Sequence, residues 1–122
     1  ADAVVSDGRD PLFPSATQNL HHEVELVVAL SGGGVDIDPA QALELVYGYA
    51  VGVDLTRRDL QAAAKAKGNP WDIAKGFDDS APISAIVPAV GRHPVDERLA
   101  ITVNGVEKQS TRVSDMLWTV PE

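Results

Sequence analysis

Residues 21–30, HHEVELVVAL, form a β-branched and aliphatic run that ends at the glycine-rich stretch 31–34. A run of this kind, bounded by glycines, is typical of a strand that ends in a turn. A second apolar segment, 46–53, reads VYGYAVGV and is followed by Asp54. Its two glycines favour positions where another backbone approaches closely. We therefore expect two β-strands, over 21–30 and 46–53, at the centre of the fold.

Short helices are expected beside these strands. Asp38 followed by Pro39 is typical of a helix start, because an N-cap acid and a proline at the first helical position both suit the unpaired amides there. Thr56 is expected to cap a second helix, with Asp59 completing the cap three residues later. Three consecutive alanines favour that helix, and Gly68 is expected to end it.

The rest of the chain is less regular. Residues 1–20 indicate a loop with one short strand at Val4–Val5, and 75–78 indicate a turn. Asn104-Gly105 between the expected strands 99–103 and 106–109 predicts a β-hairpin, since both turn positions need positive φ. Residues 114–118 are expected to open a third helix. Together these segments predict a mixed α+β fold that is rich in β-structure.

Composition limits the classes of function. The 122 residues carry 10 Lys and Arg against 18 Asp and Glu, a net charge of −8, which argues against a nucleic-acid partner because phosphate binding needs a basic surface. No apolar run approaches the roughly 18 residues of a membrane span, so we expect a soluble protein, cytoplasmic by default, with no membrane partner. The absence of cysteine excludes disulfides and thiolate ligands.

Three acidic residues form a candidate metal site. Side chains alternate along a strand, so Glu23 and Glu25 project to the same side, with Cα atoms about 7 Å apart. Like charges so placed repel unless they share a proton, meet bases or bracket a cation such as Mg²⁺, Mn²⁺ or Ca²⁺. Asp54, at the end of the next strand, is a candidate third ligand. A solvated strand face for the glutamates and a helix cap for Asp54 are the alternatives.

Basic and amide residues near this cluster suggest an anion site. Arg58 and Gln61 lie about one helical turn apart, so they share a face that suits a carboxylate substrate, although such surface pairs are common. Lys75 precedes Gly76, where an anion can approach, but lysines near turns are usually solvated. His21 and His22 flank the glutamates as ligands, acid–base groups or ordinary hydrogen-bonded strand residues.

These residues lie within strings that resemble the fumarylacetoacetate hydrolase superfamily. The strings occur in the family's order over essentially the whole chain, and those around 51–61 and 75–88 are most similar to its bacterial fumarylpyruvate hydrolases, or acylpyruvases. They are His21–Leu26, Gly48–Gln61, Gly68–Trp71, Ala74–Asp78, Ala81–Ser84, Val103–Gly105 and Ser114–Met116.

The resemblance implies a β-roll or barrel-like core with short helices and a role for each candidate residue. Glu23, Glu25 and Asp54 would bind Mg²⁺ or Mn²⁺, with Ca²⁺ as a substitute. Arg58, Gln61 and Lys75 would bind substrate, and Lys75 would also be catalytic.

The implied reaction is hydrolysis of a carbon–carbon bond in a small 1,3-diketo acid, such as fumarylpyruvate to fumarate and pyruvate in aromatic catabolism. The alternatives within the family are decarboxylation of a β-keto acid such as oxaloacetate, and isomerisation of a diketo acid. A homodimer is also implied.

Two strings of the family are not found in the chain. Its members usually carry an upstream histidine–glutamate pair that activates water and a downstream Thr-Gly-Thr-Pro loop, and neither string occurs in this sequence. We therefore expect residues 1–122 to be the central part of a single catalytic domain, without the family's N-terminal and C-terminal segments. A catalytically inactive fragment is the remaining alternative.

Overall fold

Short strands and short helices alternate along the computed structural model of the chain, which describes residues 3–6 and 8–122. The strands are β1 Val4–Val5, β2 Leu20–His21, β3 Val24–Leu30, β4 Val46–Val53, β5 Thr56–Arg57, β6 Ala81–Pro82, β7 Val87–Pro88, β8 Arg98–Val103 and β9 Val106–Arg112. The helices are α1 Pro39–Ala42, α2 Arg58–Ala66 and α3 Asp72–Lys75, with 3₁₀ turns at Leu43–Leu45 and Val113–Asp115. The mixed α+β, β-rich class with short helices is confirmed.

The chain divides into two compact units. Unit 1 comprises Ala1–Glu25 and Val51–Ala85, and unit 2 comprises Leu26–Ala50 and Ile86–Glu122. Strands β3, β4 and β7 form one three-stranded sheet in the order β3-β4-β7. All the candidate site residues lie in unit 1.

Two small strand pairs organise unit 1. β1 and β6 are parallel, and β2 and β5 are antiparallel, with Leu20 opposite Arg57 and His21 opposite Thr56. Val5 and Thr56 are fully buried, and Phe77 is 5% exposed, so these strand pairs enclose the core of the unit. The predicted strand 21–30 is therefore divided, because His21 pairs with β5 whereas Val24 begins β3.

Unit 2 contains the predicted hairpin and the first part of β4. Gly48 and Tyr49 pair with β7 in an antiparallel register. β8 and β9 pair from Arg98–Arg112 to Val103–Val106, and the turn residues Asn104 and Gly105 have φ values of 52° and 77°. Both turn predictions, the dipeptide and its positive φ values, are confirmed.

The second helix begins later than predicted, and its predicted cap is wrong. Thr56 lies in β5, where pairing with His21 holds it in an extended conformation, so α2 begins only at Arg58. Arg57 at the N-cap makes no side-chain cap, and Asp59 accepts hydrogen bonds from Thr17 and Gln18 instead. The other boundaries agree with expectation: the Asp38 carboxylate caps α1 by accepting from the Ala40 amide at 2.9 Å, and a φ of +66° at Gly68 follows α2.

Two further segments differ from expectation. Lys75 is the last residue of α3 and not part of a turn, because the amides of Ala74 and Lys75 both donate to the Trp71 carbonyl. Ala74, in the same helix, is buried. The expected helix over 114–118 is wrong. Only Val113–Asp115 forms a 3₁₀ turn, and Met116 is extended.

Gly48 offers a test of the β4–β7 pairing. A Cβ atom added there would lie 2.4 Å from the carbonyl oxygen of Val87, and that backbone atom cannot yield without moving β7. We expect Gly48→Ala to lower the free energy of unfolding in urea by about 1–3 kcal/mol. Gly33→Ala is the control, since a Cβ at Gly33 meets nothing within 4 Å. Equal unfolding free energies for the two variants would contradict the close approach.

Candidate functional site

Backbone pairing brings the three predicted acidic residues together. The amide of Glu23 donates to the Asp54 carbonyl at 3.1 Å and the amide of Asp54 donates to the Glu23 carbonyl at 2.8 Å, so the two residues lie directly opposite each other. Glu25 lies two residues further along the chain, on the same side as Glu23. One carboxylate oxygen from each acid lies within 4.8 Å of the other two. We call these three residues the acid cluster.

Lys75 bridges two members of the acid cluster. Its ammonium donates to Glu23 Oε2 at 2.8 Å and to Asp54 Oδ2 at 2.7 Å. The short helix α3 ends at Lys75 and projects this side chain toward the ends of β3 and β4. The lysine therefore lies against the acids, and the alternative of a solvated turn lysine is excluded.

Arg58 reaches the cluster from the first turn of α2. Its Nη2 donates to Glu23 Oε1 at 2.8 Å, its Nη1 donates to Gln61 Oε1 at 2.6 Å, and its Nε donates to His21 Nδ1 at 3.3 Å. The predicted shared face of Arg58 and Gln61 is thus present. Because Gln61 accepts through its oxygen, its amide nitrogen is oriented as a donor.

The cations change the ionisation of their partners. The hydrogen bond from Lys75, and then that from Arg58, outweigh burial and lower the pKa of Glu23. Burial by itself lowers the pKa of Lys75, but the hydrogen bonds to Asp54 and Glu23 outweigh burial and raise this pKa. Glu23 is therefore held as a carboxylate and Lys75 as an ammonium at neutral pH.

Glu25 is the acid whose negative charge Lys75 and Arg58 offset least. Burial, and then the negative charge of Asp54, outweigh the attraction of Lys75 and raise the pKa of Glu25. Three carboxylates face two cations, Lys75 and Arg58, which leaves one negative charge uncompensated when all five groups are ionised. Three hard oxygen donors with surplus negative charge suit Mg²⁺ or Mn²⁺.

The cluster is open to small molecules. The side chains of Lys75, Glu23 and Asp54 are 26%, 31% and 33% exposed, and Glu25 is also exposed. Thr56 was not predicted as a partner, and its hydroxyl donates to Glu23 Oε1 at 3.4 Å. His21, for which a hydrogen-bonded strand residue was one of three alternatives, lies in β2 and accepts from Arg58. Only the pairing of β2 with β5 brings both to the site, and that pairing has no local signature in the sequence.

The sequence over residues 1–122 matches the family described as fumarylacetoacetate (FAA) hydrolase, C-terminal. The chain belongs to the fumarylacetoacetate hydrolase family. Among curated relatives, a fumarylpyruvate hydrolase from Ralstonia sp is 43% identical over 119 residues, which cover 98% of this chain and 62% of the relative. A mitochondrial oxaloacetate tautomerase from Mus musculus is 42% identical over 120 residues, covering 98% of this chain and 54% of the relative.

Solved structures of the family share this fold. The fumarylpyruvate hydrolase from Pseudomonas aeruginosa, solved in complex with Mn²⁺ and pyruvate, superposes with a TM-score of 0.91 at 45% identity, over 100% of this chain and 55% of that one. The chain therefore spans between half and two thirds of the length of these relatives. In the part of the chain that the structure describes, none of the helices combines the length and apolarity of a membrane span.

The contact between Lys75 and Glu23 predicts a change in titration. Lys75→Met removes the largest cause of the lowered pKa of Glu23, so this pKa should rise. A carboxyl with a lowered pKa stabilises the fold above its ordinary pKa and loses that contribution as pH falls through its folded-state pKa. In the variant the contribution of Glu23 should therefore be smaller, and its loss should be complete at a higher pH. Carbon-13 NMR of the Glu23 carboxyl against pH measures the midpoint.

Lys67→Met is the control for this titration, because Lys67 is an exposed lysine at the end of α2. It should leave the Glu23 midpoint where it is in the unchanged protein. The same midpoint in Lys75→Met as in the unchanged protein would show that the Lys75 contact does not hold Glu23 ionised.

Proposed function

We propose that the protein is a metal-dependent hydrolase that cleaves the carbon–carbon bond of an acylpyruvate, with fumarylpyruvate giving fumarate and pyruvate. The observation that carries the proposal is the acid cluster, whose carboxylate oxygens lie within 4.8 Å of one another with Lys75 against two of them. The names of the Ralstonia and Pseudomonas relatives support the choice of substrate.

Glu23, Glu25 and Asp54 are the residues that would hold Mg²⁺ or Mn²⁺, with Ca²⁺ as a substitute. Mg²⁺ gives up its bound water reluctantly, and negatively charged carboxylates replace that water better than neutral ligands do. A set of three acids with one uncompensated charge therefore fits this ion. When bound there, the ion would supply a Lewis acid that polarises the carboxylate and keto oxygens of a pyruvoyl group.

Lys75 is the residue proposed to stabilise the charge that develops during cleavage. Its ammonium is held at 2.7–2.8 Å from Asp54 and Glu23, and its raised pKa keeps it protonated at neutral pH. A fixed cation beside the pyruvoyl group lowers the energy of an enolate oxygen more than that of the neutral ketone from which it forms. Lys75 therefore acts as both a substrate-binding and a catalytic residue.

Arg58 and Gln61 are the residues proposed to bind the anionic substrate. The guanidinium carries five N–H donors, and three hydrogen bonds direct it to Glu23, Gln61 and His21. Its remaining donors and the amide nitrogen of Gln61 suit a substrate carboxylate. The tether to Glu23 keeps this anion site next to the acid cluster.

The proposed reaction balances with one water. The water oxygen bonds to the acyl carbonyl carbon, and the bond from that carbon to the pyruvoyl methylene breaks. The electron pair of the broken bond forms the enolate of pyruvate, which takes up one proton at the former methylene carbon. The other water proton is released when the new carboxylic acid ionises.

Oxaloacetate tautomerisation is the second candidate, favoured by the mouse relative at 42% identity. It needs the same stabilised enolate but no attack by water on a carbonyl, and the same acids and Lys75 would serve it. Decarboxylation of oxaloacetate is a third outcome, which proton NMR detects as pyruvate formed from oxaloacetate.

We also propose that the intact protein is a homodimer. β8 and β9 form a two-stranded sheet within the described residues, and the outer edges of such a pair can be covered by a second copy. Light scattering of the intact protein at high concentration should give twice the chain mass. A monodisperse monomer would contradict the proposal.

The substrate is tested with the intact protein, Mn²⁺ and either fumarylpyruvate or oxaloacetate. Proton NMR should show fumarate and pyruvate forming in equal amounts from fumarylpyruvate. Lys75→Met should lower kcat by about 10²–10³-fold, the loss typical of one oxyanion donor, whereas Lys67→Met should not change it. Faster interconversion of the keto and enol forms of oxaloacetate, with no pyruvate from oxaloacetate and no fumarate from fumarylpyruvate, would transfer the assignment to the second candidate.

The metal site is tested by thermal melts. Mg²⁺ or Mn²⁺ should raise the melting temperature of the intact protein, because a ligand that binds the native state stabilises it. Glu25→Gln should abolish this rise while the variant still folds, since it removes the charge that the ion requires.

Glu44→Gln, at an exposed position in unit 2, is the matched control for these melts and should keep the full rise. An equal metal-induced rise in Glu25→Gln and Glu44→Gln would remove Glu25 from the site.

A further inference from the structure

Asp59 joins the N-terminal segment to the first turn of α2. Its Oδ1 accepts from the Thr17 hydroxyl at 2.5 Å, and its Oδ2 accepts from the Gln18 amide at 2.9 Å. Thr17 is only 3% exposed, and its hydroxyl oxygen also accepts from the Asn19 amide at 3.0 Å. The hydroxyl is therefore used as both donor and acceptor, and the segment cannot rotate without breaking one of these bonds.

The contact between the N-terminal segment and the start of α2 continues along the chain toward the acid cluster. The Arg58 amide donates to the Asn19 carbonyl at 2.8 Å, and β2 then pairs with β5. Residues 17–21 thus lie against 56–59 along their whole length, and the chain reaches Glu23 two residues later. The hydrogen-bond partners of Asp59 are Thr17, Gln18 and Leu60, none of which belongs to the acid cluster.

The position of Glu23 therefore depends on both sides of the contact between residues 17–21 and residues 56–59. Glu23 follows residues 17–21, the segment that Asp59 holds in place. The Glu23 carboxylate accepts a hydrogen bond from Arg58, the residue that precedes Asp59. If the segment moved away from α2, Glu23 Oε1 would move relative to Arg58 and to the other two acids. Neither Glu25 nor Asp54 lies on this segment.

We propose that Asp59 is a positioning residue for the metal site: it holds residues 17–21 against α2, so that Glu23 is presented to Glu25 and Asp54. The inference rests on the proposed function, since it assumes that the acid cluster binds a divalent ion. Groups that orient metal ligands typically change metal affinity by about 10–100-fold when they are replaced. Asp59 is not a ligand and does not touch the substrate.

Unit 2 provides a control with matched hydrogen bonds. Asp115 accepts from the Arg112 amide at 2.8 Å and from the Thr111 hydroxyl at 2.9 Å, the same two kinds of donor by which Gln18 and Thr17 hold Asp59. Asp115→Ala removes the same kinds of bond in a different unit. It separates a general loss of stability from an effect on the metal site.

The experiment is calorimetric titration of the intact protein with Mn²⁺ alone. Asp59→Ala and Thr17→Val should each raise the Kd for Mn²⁺ by about 10-fold or more. The double variant should add little to the larger single effect, because both changes break one contact. Thr17→Ser, which keeps the hydroxyl, should restore the affinity, and Asp115→Ala should leave the Kd unchanged.

The outcomes distinguish the inference from the proposed function. If the unchanged protein binds Mn²⁺ and Asp59→Ala binds it equally well, the positioning role is wrong and the metal site stands. If Asp59→Ala does not fold, Thr17→Val decides, and an unaltered Kd in that variant overturns the inference. If the unchanged protein does not bind Mn²⁺, the metal site is wrong and the positioning role falls with it.

Discussion

Mutual repulsion among the three carboxylates of the acid cluster is the constraint that the neighbouring cations of unit 1 must offset. Glu23, Glu25 and Asp54 offer oxygens within 4.8 Å of one another, and like charges at that distance destabilise the fold unless cations offset them. Lys75 and Arg58 supply two positive charges at 2.7–2.8 Å, and both are directed at Glu23 or Asp54. Burial, and then the charge of Asp54, raise the pKa of Glu25.

Different elements bring these charges together, so the site depends on how unit 1 is folded. Glu23 lies just before β3 and Glu25 within it, Asp54 follows β4, Arg58 begins α2 and Lys75 ends α3. The reciprocal backbone hydrogen bonds between Glu23 and Asp54 set the register, and Thr56, which is fully buried, anchors the adjacent strand pair. Relatives that are named as a fumarylpyruvate hydrolase and as an oxaloacetate tautomerase both match this chain at more than 40% identity, in keeping with the rule that one fold can serve different reactions.

The sequence predicted features that depend on neighbouring residues. The bounds of β4, the Asn104-Gly105 turn and the shared side of Glu23 and Glu25 all follow from turn chemistry or from the two-residue period of a strand. The pairing of β2 with β5 could not be predicted in this way. It joins residues about 35 apart, divides the expected strand at His21, holds Thr56 extended and delays the start of α2. The bridge made by Lys75 is also non-local, since its partners lie 52 and 21 residues away. Resemblance to the family, and not spacing, connected Lys75 with the acids.

The central claim is that the three acids form one metal centre. Anomalous diffraction from a crystal of the intact protein soaked in Mn²⁺ tests it most directly, because the signal locates the ion without reference to activity. We expect an anomalous peak among the carboxylates of Glu23, Glu25 and Asp54, in contact with an oxygen of each. Ordered density for the three carboxylates with no anomalous peak between them, or an anomalous peak only elsewhere on the chain, would show that these acids do not form a metal centre.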